Sequence, residues 1–167
     1  SKSKIKINWK WVFSLFFISF VISVTLTYLS DIAITGVGYL VAFLVLGASI
    51  LLGILFDIVA IAAASADEKS FHSMSSKRVP GAKESVWLIR NAEKVSSFCN
   101  EVVGDISGII SDATGAAIVV RLSQDLPIKE LWISLVVTGL IAALTIGGKA
   151  AGKGIAMAKS DKIIYFV

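Results

Sequence analysis

Four long apolar runs alternate with polar stretches along the chain, and the alternation predicts its elements. Residues 11–29 are almost wholly apolar. As a helix rising about 1.5 Å per residue, they match a hydrocarbon core of roughly 30 Å. Trp9 and Trp11 stand where this run begins, and indole rings favour the headgroup region. A second run, 37–66, is longer than a bilayer requires, so its helix is expected to tilt or to project its last turns into water. The third run covers 95–120, and the fourth covers 131–148 and is opened by Trp132. Short turns at 30–36 and 121–130 join the runs, the second around Pro127.

Residues 67–94 are the one long hydrophilic segment, and Pro80-Gly81 divides it. Before the break, Glu68, Phe71, His72 and Ser75 suit a short helix continuing the second run. After it, Val86, Trp87 and Ile89 oppose Lys83, Glu84, Arg90 and Glu93, the pattern of an amphipathic helix lying in the membrane interface. Residues 149–167 are expected to be a cytoplasmic segment with an amphipathic, membrane-surface end at Ile163 to Val167. The expected fold is therefore all-α and polytopic, one membrane domain over 1–167. It has four transmembrane helices and a cytoplasmic interfacial amphipathic segment between the second and third.

Composition strengthens this picture. The chain is 56% hydrophobic with a mean hydropathy of +0.82, and soluble domains have a lower apolar content. The net charge of +4 reads as a topology signal rather than as nucleic-acid binding, because the basic residues are segregated. They crowd into the N-terminal tail, the 67–94 segment and the chain after Gly148. The 30–36 turn has none, and the 121–130 turn has only Arg121 and Lys129. Four crossings then place both termini in the cytoplasm of a multi-pass cell-membrane protein. The first run is too long for a signal-peptide core and lacks a small-x-small cleavage site, so it is expected to be retained as a span. Cys99 is alone and builds neither a disulfide framework nor a cysteine metal motif. His72 is the only histidine and is expected to be solvated.

The third run carries the candidate chemistry. Glu101, Asp105, Gly108 and Asp112 follow one another at steps of four, three and four, one stripe of an α-helix, with Gly104 and Gly115 beside it. A carboxylate in hydrocarbon costs roughly 2.5–3.5 kcal/mol on insertion scales, so these acids are expected to face the bundle interior. In the second run Gly53, Asp57, Ala60 and Ala64 share a stripe. Asp57, Asn100, Glu101, Asp105 and Asp112 form an oxygen-donor set of the type that Mg²⁺ takes. Alternatively Asp57 or Asp105 pairs with Lys149, which makes burial tolerable. Gly53, Gly104, Gly108, Gly148 and Gly152 are the expected points of close helix packing. There is no nucleophile motif, no histidine pair and no phosphate loop, and Gly147 to Lys153 lacks the Walker spacing. No enzymatic activity is expected.

From the second run onward, the order of parts resembles the transmembrane domain of the cyclin M and CorC magnesium-transporter family. Phe56-Asp57-Ile58-Val59-Ala60-Ile61-Ala62 stands where that family has Phe-Ser-Ala-x-Glu-x-Ala, with the phenylalanine and last alanine shared. Gly81-Ala82, Asn91 and Asn100 match its belt and middle-helix positions. Gly148-Lys149-Ala150-Ala151-Gly152-Lys153 stands where its last helix has Gly-Glu-x-x-Pro-Lys. The resemblance spans about two-thirds of the chain, from Leu46 to Ile163. It implies three family helices preceded here by an added span, a divalent-cation site of the Mg²⁺ type, and pairing through the membrane domain into a homodimer. Lys149 replaces the glutamate that helps hold the cation in the family. Two functions follow as expectations. One is a divalent-cation transporter membrane domain. The other is a non-transporting membrane subunit or scaffold, whose acids pair with Lys149 and whose cytoplasmic belt binds a partner protein. Lipid bilayer, a second copy or a membrane-protein partner are the expected contacts, and nucleic acid is not.

Overall fold

The computed structural model describes residues 7–167, apart from the side chains of Ala33 and Ile34. The tail lysines Lys2, Lys4 and Lys6 lie outside the described residues. Helix α1 spans Trp9–Thr35, α2 Tyr39–Ser65, α3 Glu68–Ser76, α4 Ala82–Arg90 and α5 Ala92–Ser97. A π-helical segment, Phe98–Gly104, carries α5 into α6, Asp105–Asp125, so the backbone is helical from Ala92 to Asp125. Helix α7 spans Glu130–Ala158 and α8 Ser160–Phe166. Among the described residues there is no strand, and four helices are long and apolar enough to cross a membrane.

The four expected spans are all present as helices, but the limits of the first, third and fourth move. The 30–36 turn is helical as far as Thr35, leaving Gly36–Gly38 as the connection. The third span extends at both ends, from Ala92 to Asp125. The fourth does not stop at Gly148 but runs to Ala158, because its glycines are interspersed with alanine, lysine and isoleucine and none is followed by proline.

Helices α2, α6 and α7 form the central bundle, and α1 leans chiefly on α6. The pattern of a water-soluble protein is inverted. Outward positions hold Phe13, Phe16, Phe17, Leu40, Leu44, Leu51, Leu135 and Leu140. The interior is rich in small side chains, Ala42, Ser49, Gly53, Ala60, Ala62 and Ala63 of α2, Ser107, Ser111, Thr114 and Gly115 of α6, and Gly152 and Ala156 of α7, beside a cluster of Leu46, Ile50 and Ile118. Lipid tails offer no hydrophobic drive for helix association, so close backbone approach and interhelical hydrogen bonds do the work.

Two registers place every side chain along the bundle. A Cβ on Gly148 would press on Cδ1 of Ile54, and one on Gly152 would lie 2.7 Å from Cγ1 of Ile58. These four-residue steps in both helices make α2 and α7 parallel. Ser49 Oγ and Ser111 Oγ are hydrogen-bonded at 2.9 Å, and Gly53 faces Ser107. The numbers rise in one helix and fall in the other, so α6 is antiparallel to both.

The two ends of the bundle differ. At the end with few basic residues, Arg121 of α6 donates to the Val37 carbonyl in the α1–α2 connection and lies over the Tyr39 ring, 4.6 Å from its centroid. The Tyr39 hydroxyl donates to Asp125. At the lysine-rich end, α3, α4 and α8 fold over the tips of α2 and α7. Phe71, Val86, Ile164, Ala62, Ala63 and Ala156 make a common core there. The backbone N–H of Asp67 donates to Asp161 at 2.8 Å, and the Ser160 hydroxyl reaches the Ser65 carbonyl. The 67–94 segment is helical over Glu68–Ser76, over Ala82–Arg90 and from Ala92 onward, with Phe71, Val86 and Ile89 packed on protein and Trp87 exposed. Residues 160–166 belong to the same cap, with Ile164 buried beneath it.

Candidate functional site

A groove of about 700 Å³ lies between α2, α6 and α7. Ser49, Ile50 and Gly53 of α2 form its floor, and α6 and α7 form its walls. The walls touch where Gly115 meets Ile141: a Cβ on Gly115 would lie 2.5 Å from the Ile141 Cδ1. The wall residues of α6 are mostly glycine, serine and alanine, and those of α7 include Ser134, Thr138 and Thr145. Asp112 stands on the α6 wall, with Glu130 and Lys149 on the α7 wall. Exposed Gly108, Asp112, Ala116, Thr138 and Ala142 show that the groove opens along the outside of the bundle.

Depth follows from the registers. Ser49 lies ten residues into α2, roughly 15 Å from its start, half the thickness of a hydrocarbon core. The Ser49–Ser111 bond puts Ser111, and with it Asp112, at that level. Lys149, Asp105 and Leu55 share a level nearer the lysine-rich end. Glu130 opens α7 at the opposite end.

The stripe from Asp105 through Gly108 to Asp112 is a single helical face, but it faces outward. Glu101, Asp105 and Asp112 are exposed and Asp57 is half-buried, which corrects the expectation that these acids face the bundle interior. The physical reason is that the other face of α6, with Ser107, Ser111, Thr114 and Ile118, packs more closely on α2 and carries no charge to desolvate. Glu101 and exposed Asn100 fall within the π segment. There the backbone closes i to i+5, so a step of four no longer completes a turn. Gly108 and Asp112 line the groove, while Asp57, Asn100, Glu101 and Asp105 lie outside it.

The candidate metal ligands do not converge. Among the described residues no three His, Cys, Asp or Glu side chains group as a metal site. Nor do Asp57 and Asp105 form ion pairs with Lys149. The ion pairs among the described residues join Glu68 to Arg90 at 2.6 Å and to His72 at 2.7 Å, both in the cap. There the Arg90 guanidinium, and after it His72, hold the Glu68 carboxyl below the usual carboxylate value. Of the packing glycines, Gly53, Gly148 and Gly152 meet a neighbouring helix closely. Gly104 faces the Cys99 carbonyl of its own helix at 3.5 Å, and Gly108 faces open space.

Sequence reasoning missed the hydroxyls. Ser107 is 3% exposed, lines the groove, and its Oγ has no hydrogen-bond partner. Ser111 donates to the Ser107 carbonyl and also meets Ser49. The signal was present as hydroxyls at steps of three and four within apolar runs: Ser107, Ser111 and Thr114 on α6, Ser134 and Thr138 on α7.

The fold and the groove define an all-α polytopic membrane protein. No family model, no curated protein and no solved structure matches the chain.

Proposed function

We propose that the protein is a membrane subunit that assembles with another membrane protein through the α2–α6–α7 groove. Asp112 carries the reading. It lies at mid-depth, is exposed, and has no ion pair. Left against lipid it would cost roughly 2.5–3.5 kcal/mol on insertion scales. Small residues beside it, Gly108, Ala116 and Ala142, let another helix approach closely. The segregation of lysines supports a cell-membrane protein with both termini cytoplasmic and the α3–α4–α8 cap on the cytoplasmic side.

A second reading, a pathway for a divalent cation such as Mg²⁺, is favoured by one observation. Ser107, Ser111, Thr138 and Thr145 give the groove oxygen atoms along its length beside Asp112. Hard cations take oxygen ligands and retain water.

Thiol labelling separates the two. An Ala116→Cys chain in a Cys99→Ser background is treated with a small charged thiol reagent, first in native membranes and then after purification. A thiol protected in membranes and reactive once purified supports assembly. A thiol reactive in both, with protection by Mg²⁺, overturns assembly in favour of a cation pathway. A thiol unreactive in both means that lipid or detergent fills the groove and overturns both readings.

A further inference from the structure

Asp112 also decides the chemistry of what the groove accepts. We infer that the groove seats a transmembrane helix of a different chain, carrying a lysine or arginine at mid-bilayer depth that meets the Asp112 carboxylate. This rests on the assembly reading above.

The charge needs a positive partner at that depth, and none of the described residues supplies one. Ser107 is an independent sign of an occupant. The residue is 3% exposed and lines the groove, and its hydroxyl, beside Gly53 of the groove floor, lacks a hydrogen-bond partner. A buried hydroxyl left unpaired is costly, and a polar side chain lowered into the groove would satisfy it.

Other occupants fit less well. Lipid headgroups lie at the bilayer surfaces, not at its centre. Two co-inserted copies related by a twofold along the membrane normal contact at equal depths. A second copy then offers no lysine or arginine at the level of Asp112, since residues 11–66, 95–120 and 130–148 hold none. A basic residue on another helix has the complementary problem, since Lys or Arg at the bilayer centre is also costly until paired. Docking relieves both.

The remaining charges set the register. Lys149 lies seven residues of α7 from the level of Asp112, roughly 10 Å nearer the lysine-rich end. Glu130 stands at the opposite mouth. The fitting helix therefore has its basic residue at the centre, an acid or amide roughly 10 Å toward the lysine-rich end, and a basic or polar residue at the other. Small residues Gly104, Gly108, Ala116 and Ala142 line the face it would lie against.

The test uses the purified full chain in lipid nanodiscs and synthetic Leu/Ala transmembrane peptides of about 23 residues. Association is read by energy transfer. An arginine-centred peptide is expected to bind about tenfold tighter than a leucine-centred one. Asp112→Asn should abolish the difference. Asp112→Lys should reverse it, favouring an aspartate-centred peptide, a result that misfolding cannot produce. Equal binding of the two peptides, or a preference that survives Asp112→Asn, overturns the inference. So does a disulfide between two Ala116→Cys chains in native membranes, which would assign the groove to a second copy. If Ala116→Cys is protected in membranes while the arginine peptide shows no preference, this inference falls and the assembly reading stands. If the thiol is open to water in membranes, the assembly reading falls first.

Discussion

Alanine at Gly152 should loosen the contact between α2 and α7, and alanine at Gly154, two residues on, should not. A Cβ on Gly152 would lie 2.7 Å from Cγ1 and 2.9 Å from Cδ1 of Ile58, closer than real side chains pack. Rotating χ2 of Ile58 moves only Cδ1. Cγ1 is fixed by χ1, which a β-branched residue in a helix holds in one dominant well. The helices must therefore separate, and overpacking of this type costs about 1–3 kcal/mol. Both substitutions share the helix-propensity gain of glycine to alanine, about 0.8–1 kcal/mol. Gly154 has nothing within 4 Å of its would-be Cβ, so it keeps the gain without the strain. The stability gap between the two variants isolates the packing cost and is expected at about 1–3 kcal/mol. The assay is reversible unfolding in mixed micelles with rising sodium dodecyl sulfate, followed by far-ultraviolet circular dichroism. Adding Ile58→Ala to Gly152→Ala removes both crowded atoms and should recover part of the loss as a favourable coupling. A gap below about 0.5 kcal/mol, within the usual error of additivity, would refute the tight α2–α7 crossing.

Other outcomes follow from the same structure. A double-mutant cycle of Ser49→Ala and Ser111→Ala should give a coupling of about 0.6 kcal/mol, the average for hydrogen bonds between membrane helices; no coupling would mean that the two hydroxyls do not bond. Arg121→Gln removes the clamp on the α1–α2 connection, so protease cleavage at Gly36–Gly38 should quicken, and an unchanged rate would contradict the contact with Val37. Glu68 has a lowered carboxyl value beside Arg90 and His72. The stability it lends is full above its ordinary value of 4.5 and is lost as the pH falls through the lower folded value. The wild type should thus melt above Glu68→Gln at about pH 6 and converge with it toward about pH 3, and a gap independent of pH would refute the pairing.

The element order was legible in the sequence because it depends on local pattern. Apolar runs long enough for a bilayer, Pro80-Gly81, and the amphipathic repeat around Val86 and Ile89 each act over a few turns of helix. Their limits were less legible, since Thr35 and the stretch after Gly148 remain helical where glycines and polar residues pointed to an end. The shared face of Asp105, Gly108 and Asp112 was also readable, as it needs only 3.6 residues per turn. Periodicity says which residues share a stripe but not what the stripe faces.

Tertiary structure decided that direction. Ser111 bonds Ser49 and Ser107 packs on Gly53, so the opposite, acidic face of α6 turns outward. Burying small neutral hydroxyls costs less than burying carboxylates without cations. The π segment at Phe98–Gly104 shifts Glu101 out of the simple repeat, a change of backbone hydrogen bonding that side-chain spacing does not encode. Lys149 and Asp105 share a level yet form no ion pair, because Asp105 lies outside the groove whose wall Lys149 forms. Level is set by the helical rise and is close to a one-dimensional quantity. Which groups meet depends on the rotation and crossing of packed helices, and those are fixed only when Ile54 and Ile58 seat against Gly148 and Gly152.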